Sequence, residues 1–148
     1  MKKLSIFLFA AFLITACGNE SDADALARNR QEIEQYLANN NLEAEQTDSG
    51  LYYIINEAGG SERPTSTTVV TVNYVGTLLN GSQFDSGNDI SFGLNQVIQG
   101  WTEGLQLIGR GGDIDLLIPA KLAYGENPPG GTIGENEALF FNVELLDF

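Results

Sequence analysis

The 148-residue chain contains no histidine, one cysteine, one methionine and one tryptophan, and only 7 basic residues against 20 acidic ones. Each shortage excludes something. Without histidine there is no imidazole general base, no imidazole metal ligand and no Ser-His-Asp arrangement. One cysteine, Cys17, allows neither an internal disulfide framework nor a cysteine-rich zinc site. A formal charge of −13 and a pI near 4.1 argue against a nucleic-acid backbone as partner. No metal or other cofactor is expected. Apolar residues make up 43% of the chain, which suffices for one ordinary domain with a sizeable core.

The lone cysteine follows a patterned start. Met1-Lys2-Lys3 is positive, and Leu4 to Ile14 is an apolar run. That run fits a secretory leader and falls short of the roughly 20 helical residues that span a bilayer. Ile14-Thr15-Ala16-Cys17-Gly18 then resembles the lipobox of bacterial lipoproteins. In that reading residues 1–16 are removed and Cys17 becomes the acylated first residue. The protein would then be held in the bacterial cell envelope through lipid on Cys17. Gly18, where some retained lipoproteins carry aspartate, favours the outer membrane by analogy. A secreted chain with a stray thiol is the alternative.

Residues 17–22 read as a polar tether, and residues 23–50 as a helix plus linker. Ser21 is placed to cap the helix, Leu26, Ile33, Tyr36 and Leu37 fall roughly on one face, and Asn39-Asn40-Asn41 should end it. So thin an apolar stripe suggests a solvated spacer rather than a dimerisation helix. From Leu51 the period becomes two. Strands are expected over Leu51 to Asn56, Thr67 to Leu79, Gln83 to Asp85, Asp89 to Leu94, Asp113 to Ile118 and Ala138 to Asp147, with a hairpin at Asn80-Gly81. Trp101, Leu105 and Ile108 mark a short helix closed by Gly109. Lys121 to Gly134, rich in glycine and proline, reads as a long loop of the kind that carries function. Residues 51–148 thus form an α+β domain, an antiparallel sheet of about five strands with one short helix.

Within this domain Asn73-Tyr74-Val75-Gly76, Phe84-Asp85-Ser86, Val97-Ile98-Gln99-Gly100-Trp101, Ala123-Tyr124-Gly125 and Leu139-Phe140-Phe141-Asn142-Val143-Glu144-Leu145 occur in order. Each is weak alone. Together they resemble the FKBP-type peptidyl-prolyl cis-trans isomerases. The resemblance implies a strongly twisted antiparallel sheet wrapped around a short helix, and rotation of X–Pro bonds in exported or envelope proteins to assist their folding. It implies proline-containing polypeptides as substrates and macrolides as a second ligand class. It also implies roles. Trp101 would be the pocket floor, and Tyr74, Phe84, Val97, Ile98 and Phe141 its apolar walls. Asp85 would be a carboxylate at a buried edge that holds the substrate. The Ile98 N–H and the Tyr124 hydroxyl would donate to substrate carbonyls, and Ile133 would cover the pocket. Trp101, Asp85 and Tyr124 form the implied catalytic set. Ile90 and Leu122 stand where many members carry aromatics. Two readings compete with catalysis, a binding module that uses the same pocket without turnover and an inactive envelope lipoprotein.

Overall fold

The computed structural model describes residues 21–148. The leader at 1–16, Cys17 and most of the tether fall outside the described residues.

Ser21 opens the first helix, α1 (Asp22–Asn40). Its hydroxyl accepts from the Asp24 N–H at 3.2 Å, and Asp22 and Asp24 place negative charge in the first turn. The helix stops where Asn41 turns into the left-handed region at φ 52°. The expectation of a solvated spacer needs correction, because α1 is docked on the domain. Ala25, Asn29, Ile33 and Leu37, an i+4 row, are buried, and Ile33 and Leu37 pack with Tyr52, Leu117 and Ala138. An alanine and an asparagine in the buried row conceal it from a hydrophobicity pattern, which instead weights the half-buried Leu26.

The strands are β1 (Glu45–Gln46), β2 (Tyr52–Glu57), β3 (Val69–Leu78), β4 (Gln83–Gly93), β5 (Gly112–Ile118) and β6 (Leu139–Asp147). They form one sheet in the order β1-β2-β5-β6-β3-β4, antiparallel at every pairing. The two-residue β1 is polar and left no alternation to read. The two expected strands at Gln83 to Asp85 and Asp89 to Leu94 are one continuous β4. It carries register shifts against β3 at Val72/Tyr74 and Gly76/Thr77, and Asp89 sits at φ 56°. These irregularities break the period of two without ending the strand.

Each face of the sheet carries a helix. Period two sends Leu116, Ile118, Leu139 and Phe141 into the main core, while Leu117 and Phe140 face α1. The main core is covered by the short helix α2 (Gln99–Gly104) and a 3-10 turn over Leu105–Leu107. Gly100 and Gly104, one turn apart, let α2 settle onto β5: a Cβ there would lie 2.5 Å from Ile118 and 2.5 Å from Leu116, respectively. Past this turn Gly109 sits against the Ala58–Glu62 segment. Its N–H donates to the Ala58 carbonyl at 2.9 Å, and Gly60 N–H donates to the Arg110 carbonyl at 2.9 Å.

Candidate active site

The strand register begins the site. Gly76 on β3 lies opposite Asp85 on β4 and opposite Phe141 on β6, and Tyr74 is two residues back on β3. Side chains two apart share a face, so Tyr74, Asp85 and Phe141 converge. Phe92, late in β4, pairs with Val70. The chain then turns through Val97 and Ile98 into α2, whose first turn places Trp101 beneath them.

Tyr74, Asp85, Phe92, Gln96, Val97, Ile98, Trp101, Tyr124 and Phe141 line one hollow of about 260 Å³. Trp101 is 4% exposed. Three rings stand nearly perpendicular to its indole: Tyr74 at 5.1 Å and 86°, Phe92 at 5.8 Å and 89°, and Phe141 at 5.3 Å and 84°. Edge-to-face packing of this kind fixes ring orientation as well as burying area. The indole N–H has no hydrogen-bond partner among the described residues. The floor is therefore an aromatic surface held in position by its three ring neighbours, with one unpaired donor on it.

Polar groups gather on one rim. The Tyr74 hydroxyl donates to Asp85 Oδ2 at 2.9 Å, and Ser86 N–H donates to Asp85 Oδ1 at 2.9 Å. Asp85 is solvent-exposed, so the expectation of a buried-edge carboxylate is corrected to a carboxylate at the open rim. A β4 residue at the sheet edge has no further strand to cover it. Burial, followed by the hydrogen bond to Asp85 and the charge of Asp85, pushes the Tyr74 hydroxyl up to about 12. Tyr124 is raised too, by burial first and then by the Asp85 charge. Both phenols thus stay neutral donors over the ordinary pH range.

The expected wall residue Phe84 and the expected cover Ile133 do not line the hollow. Phe84 lies behind Phe141, with ring centroids 5.4 Å apart and an interplanar angle of 84°. Ile133 is 7% exposed within the main core. Phe92 and Gln96 line the hollow without having been singled out. The signal for Phe92 was its place on the inward alternation of β4. Gln96 is an exposed residue just before Val97 and carries no pattern. A larger hollow of about 410 Å³ lies between α1 and the β3–β4 turn, and Tyr36, Leu79 and Ala138 share its lining with polar residues such as Glu32, Asn39 and Glu137. It has no aromatic floor comparable to Trp101. Among the described residues no group of histidine, cysteine, aspartate or glutamate could hold a metal ion.

Such a hollow can bind and desolvate a compact apolar ring while offering hydrogen-bond donors along one edge. Its lining has no activated nucleophile.

The chain is similar to known proteins across most of its length. Residues 60–146 match the family model for FKBP-type peptidyl-prolyl cis-trans isomerases. The FKBP-type peptidyl-prolyl cis-trans isomerase FkpA of Aeromonas hydrophila is 44% identical over 133 residues, covering 86% of this chain and 49% of that protein. The outer membrane protein MIP of Legionella longbeachae is 46% identical over 102 residues, covering 66% of this chain and 44% of that protein. The crystal structure of FkpA from Escherichia coli superposes with a TM-score of 0.73 at 43% identity, covering 84% of this chain and 59% of that one. The chain spans about half the length of these sequence relatives.

Proposed function

Since this chain belongs to the FKBP-type peptidyl-prolyl cis-trans isomerase family, we propose that its Trp101 hollow takes up a proline residue and speeds rotation about the peptide bond before it. The substrates are proline-containing polypeptides, and macrolides are a second ligand class for the same hollow. An X–Pro bond rotates slowly because twisting breaks amide resonance, at a cost of about 18–20 kcal/mol. No σ bond has to break. A twisted amide has a less polar carbonyl and a more pyramidal nitrogen than the planar form. Apolar surroundings therefore disfavour the planar, better hydrated amide relative to the twisted one. This is differential binding of the transition state.

The proline ring rests on Trp101, between Tyr74, Phe92, Val97 and Phe141. Tyr124 and the Ile98 N–H donate to the carbonyls that flank the proline. Asp85 orients the Tyr74 hydroxyl and fixes the polar rim. Phe84 and Ile133 act from behind, as backing for the wall and for the loop. The observation that supports this reading most is the convergence of Trp101, Asp85, Tyr74 and Tyr124 on one hollow.

A protease-coupled assay of a proline peptide at low temperature tests it. The protein is expected to accelerate isomerisation, with kcat/KM flat between about pH 6 and 9, because no proton transfer is involved. The sign follows from the raised phenol. A Tyr74 group displaced from 10 to about 12 adds stability that is complete below pH 10 and is lost as pH rises through about 12. The rim donors are thus unchanged across the assay window. No acceleration, or a bell-shaped profile centred in that window, overturns the proposal.

We further propose that lipid on Cys17 holds the protein at the bacterial envelope, on the outer membrane. The lipobox-like Ile14-Thr15-Ala16-Cys17 supports this, as does the likeness to a relative named an outer membrane protein. No helix among the described residues is long and apolar enough to cross a membrane. Labelled palmitate is expected to enter the wild type and to be lost in Cys17→Ser. An unlabelled wild type overturns the anchor.

A further inference from the structure

Asn29 is the polar residue that a docked helix would be expected to avoid. It is 1% exposed, midway along α1, and lies outside the family-matched segment. All of its amide is used. Oδ1 accepts from Ala120 N–H at 2.8 Å, and Nδ2 donates to the Asn136 carbonyl at 3.0 Å and to Glu32 Oε2 at 3.1 Å. Ala120 and Asn136 are the two ends of the loop that carries Tyr124.

The bonds continue from each end. The Ala120 carbonyl accepts from Ala123 N–H at 2.9 Å and from Gly125 N–H at 2.9 Å, which are the two neighbours of Tyr124. The Gly125 carbonyl accepts from Asn136 N–H at 2.8 Å, and the Asn136 carbonyl returns to Asn29. The circuit is closed: Asn29, Ala120, Gly125, Asn136, Asn29. Arg28 also donates to the Asn136 carbonyl, at 3.0 Å. The chain inside the circuit has left-handed Gly125, Gly130 and Gly131 and no helix or strand over residues 123–136. Without its ends tied, such a loop does not hold one phenol at a fixed place over the hollow.

We infer that Asn29 is a positioning residue for Tyr124, one buried amide that closes a ring of hydrogen bonds around both ends of the loop bearing it. The chemistry demands an amide. Ala120 needs an acceptor and Asn136 needs a donor, so neither aspartate nor leucine serves both. For its kinetic consequence the inference rests on the isomerase reading. For the loop itself it does not.

The test is made on the full chain, by amide hydrogen exchange and by the protease-coupled assay. Asn29→Ala is expected to speed exchange about tenfold or more at Ala123, Gly125 and Asn136, with Val72 and Val143 in the central strands unchanged, since a buried hydrogen bond is lost without global unfolding. kcat/KM should fall about tenfold, equal to about 1.4 kcal/mol. In a Tyr124→Phe background the same substitution should have little further effect, because the two act through one group. Asn29→Asp keeps the acceptor and is expected to leave Ala120 protected while Asn136 exchanges faster. Ile33→Ala, which loosens α1 without touching the circuit, should lower the melting temperature and leave loop exchange and kcat/KM near wild type. Unchanged loop exchange in Asn29→Ala overturns the inference. So does an equal rate loss in both backgrounds, or an Ile33→Ala that reproduces the loop effect. An inactive wild type with a loosened Asn29→Ala loop overturns the isomerase reading alone.

Discussion

Replacing Trp101 by alanine is expected to lower kcat/KM for proline peptides by about a hundredfold, equal to about 2.7 kcal/mol, while the domain stays folded. In the proposed mechanism the indole is the surface on which the proline ring rests, and Tyr74, Phe92 and Phe141 pack against it nearly at right angles. Removing it leaves these rings without a common partner, and the hollow deepens into a void that water can enter. On the proposed mechanism the planar amide is then no longer disfavoured. The stability cost should be about 3–5 kcal/mol, as for other buried tryptophans. A domain with roughly 5–15 kcal/mol in total survives that loss at low temperature. Circular dichroism and a urea midpoint, run beside the coupled assay, separate the two effects. A folded variant with wild-type kcat/KM would remove the floor from the mechanism. A folded variant that has lost isomerisation but still assists refolding would favour a binding module over turnover.

The second large effect concerns the fold. Gly109→Ala should destabilise the domain by about 3 kcal/mol, read as a lower urea midpoint at unchanged slope. A Cβ at Gly109 would lie 2.1 Å from the Gly60 carbonyl oxygen and 2.7 Å from that of Glu62. Both are backbone atoms of a segment tied to this turn by the Gly109–Ala58 and Gly60–Arg110 hydrogen bonds, and both accept from Arg63 Nη1. A side chain in the way could rotate aside, but a backbone carbonyl moves only with the segment that carries it. Gly60 is the control, since a Cβ there meets the Arg110 carbonyl at an ordinary 3.6 Å. Gly60→Ala should lie within about 1 kcal/mol of wild type. Equal midpoints for the two variants would show that the segment yields easily.

How far the sequence carried the reading depended on the kind of signal. Val70, Val72 and Tyr74 alternate cleanly because β3 is paired on both sides, and Trp101, Leu105 and Ile108 repeat because α2 and its 3-10 turn bury one face. Those elements were legible. β4 read as two pieces because its bulges shift the alternation, and α1 read as free because its docked row includes Ala25 and Asn29. In the site, an ordered set of motifs brought Tyr74, Asp85, Val97, Ile98, Trp101, Tyr124 and Phe141 forward together. Motif order does not distinguish a wall from its backing, since both are apolar and often aromatic. Phe84 and Phe92 exchange places for that reason. Nor does it report depth, and Asp85 lies at the open rim because its strand is an edge. Asn29 was invisible because its role depends on Ala120 and Asn136, about a hundred residues away in the chain.

The broken register of β4 has a bearing on self-association. An edge strand offers its outward amides and carbonyls to any other chain, and a long flat one invites stacking. β4 runs 11 residues along the border of the sheet. Its two shifts and the left-handed Asp89 bend that border, and Asp85 and Asp89 put like charges on it. Two copies meeting along it would have to match curved backbones and oppose carboxylate with carboxylate. A flank of this shape is a poor template for fibrils, which suits a protein proposed to handle other chains while they are still unfolded.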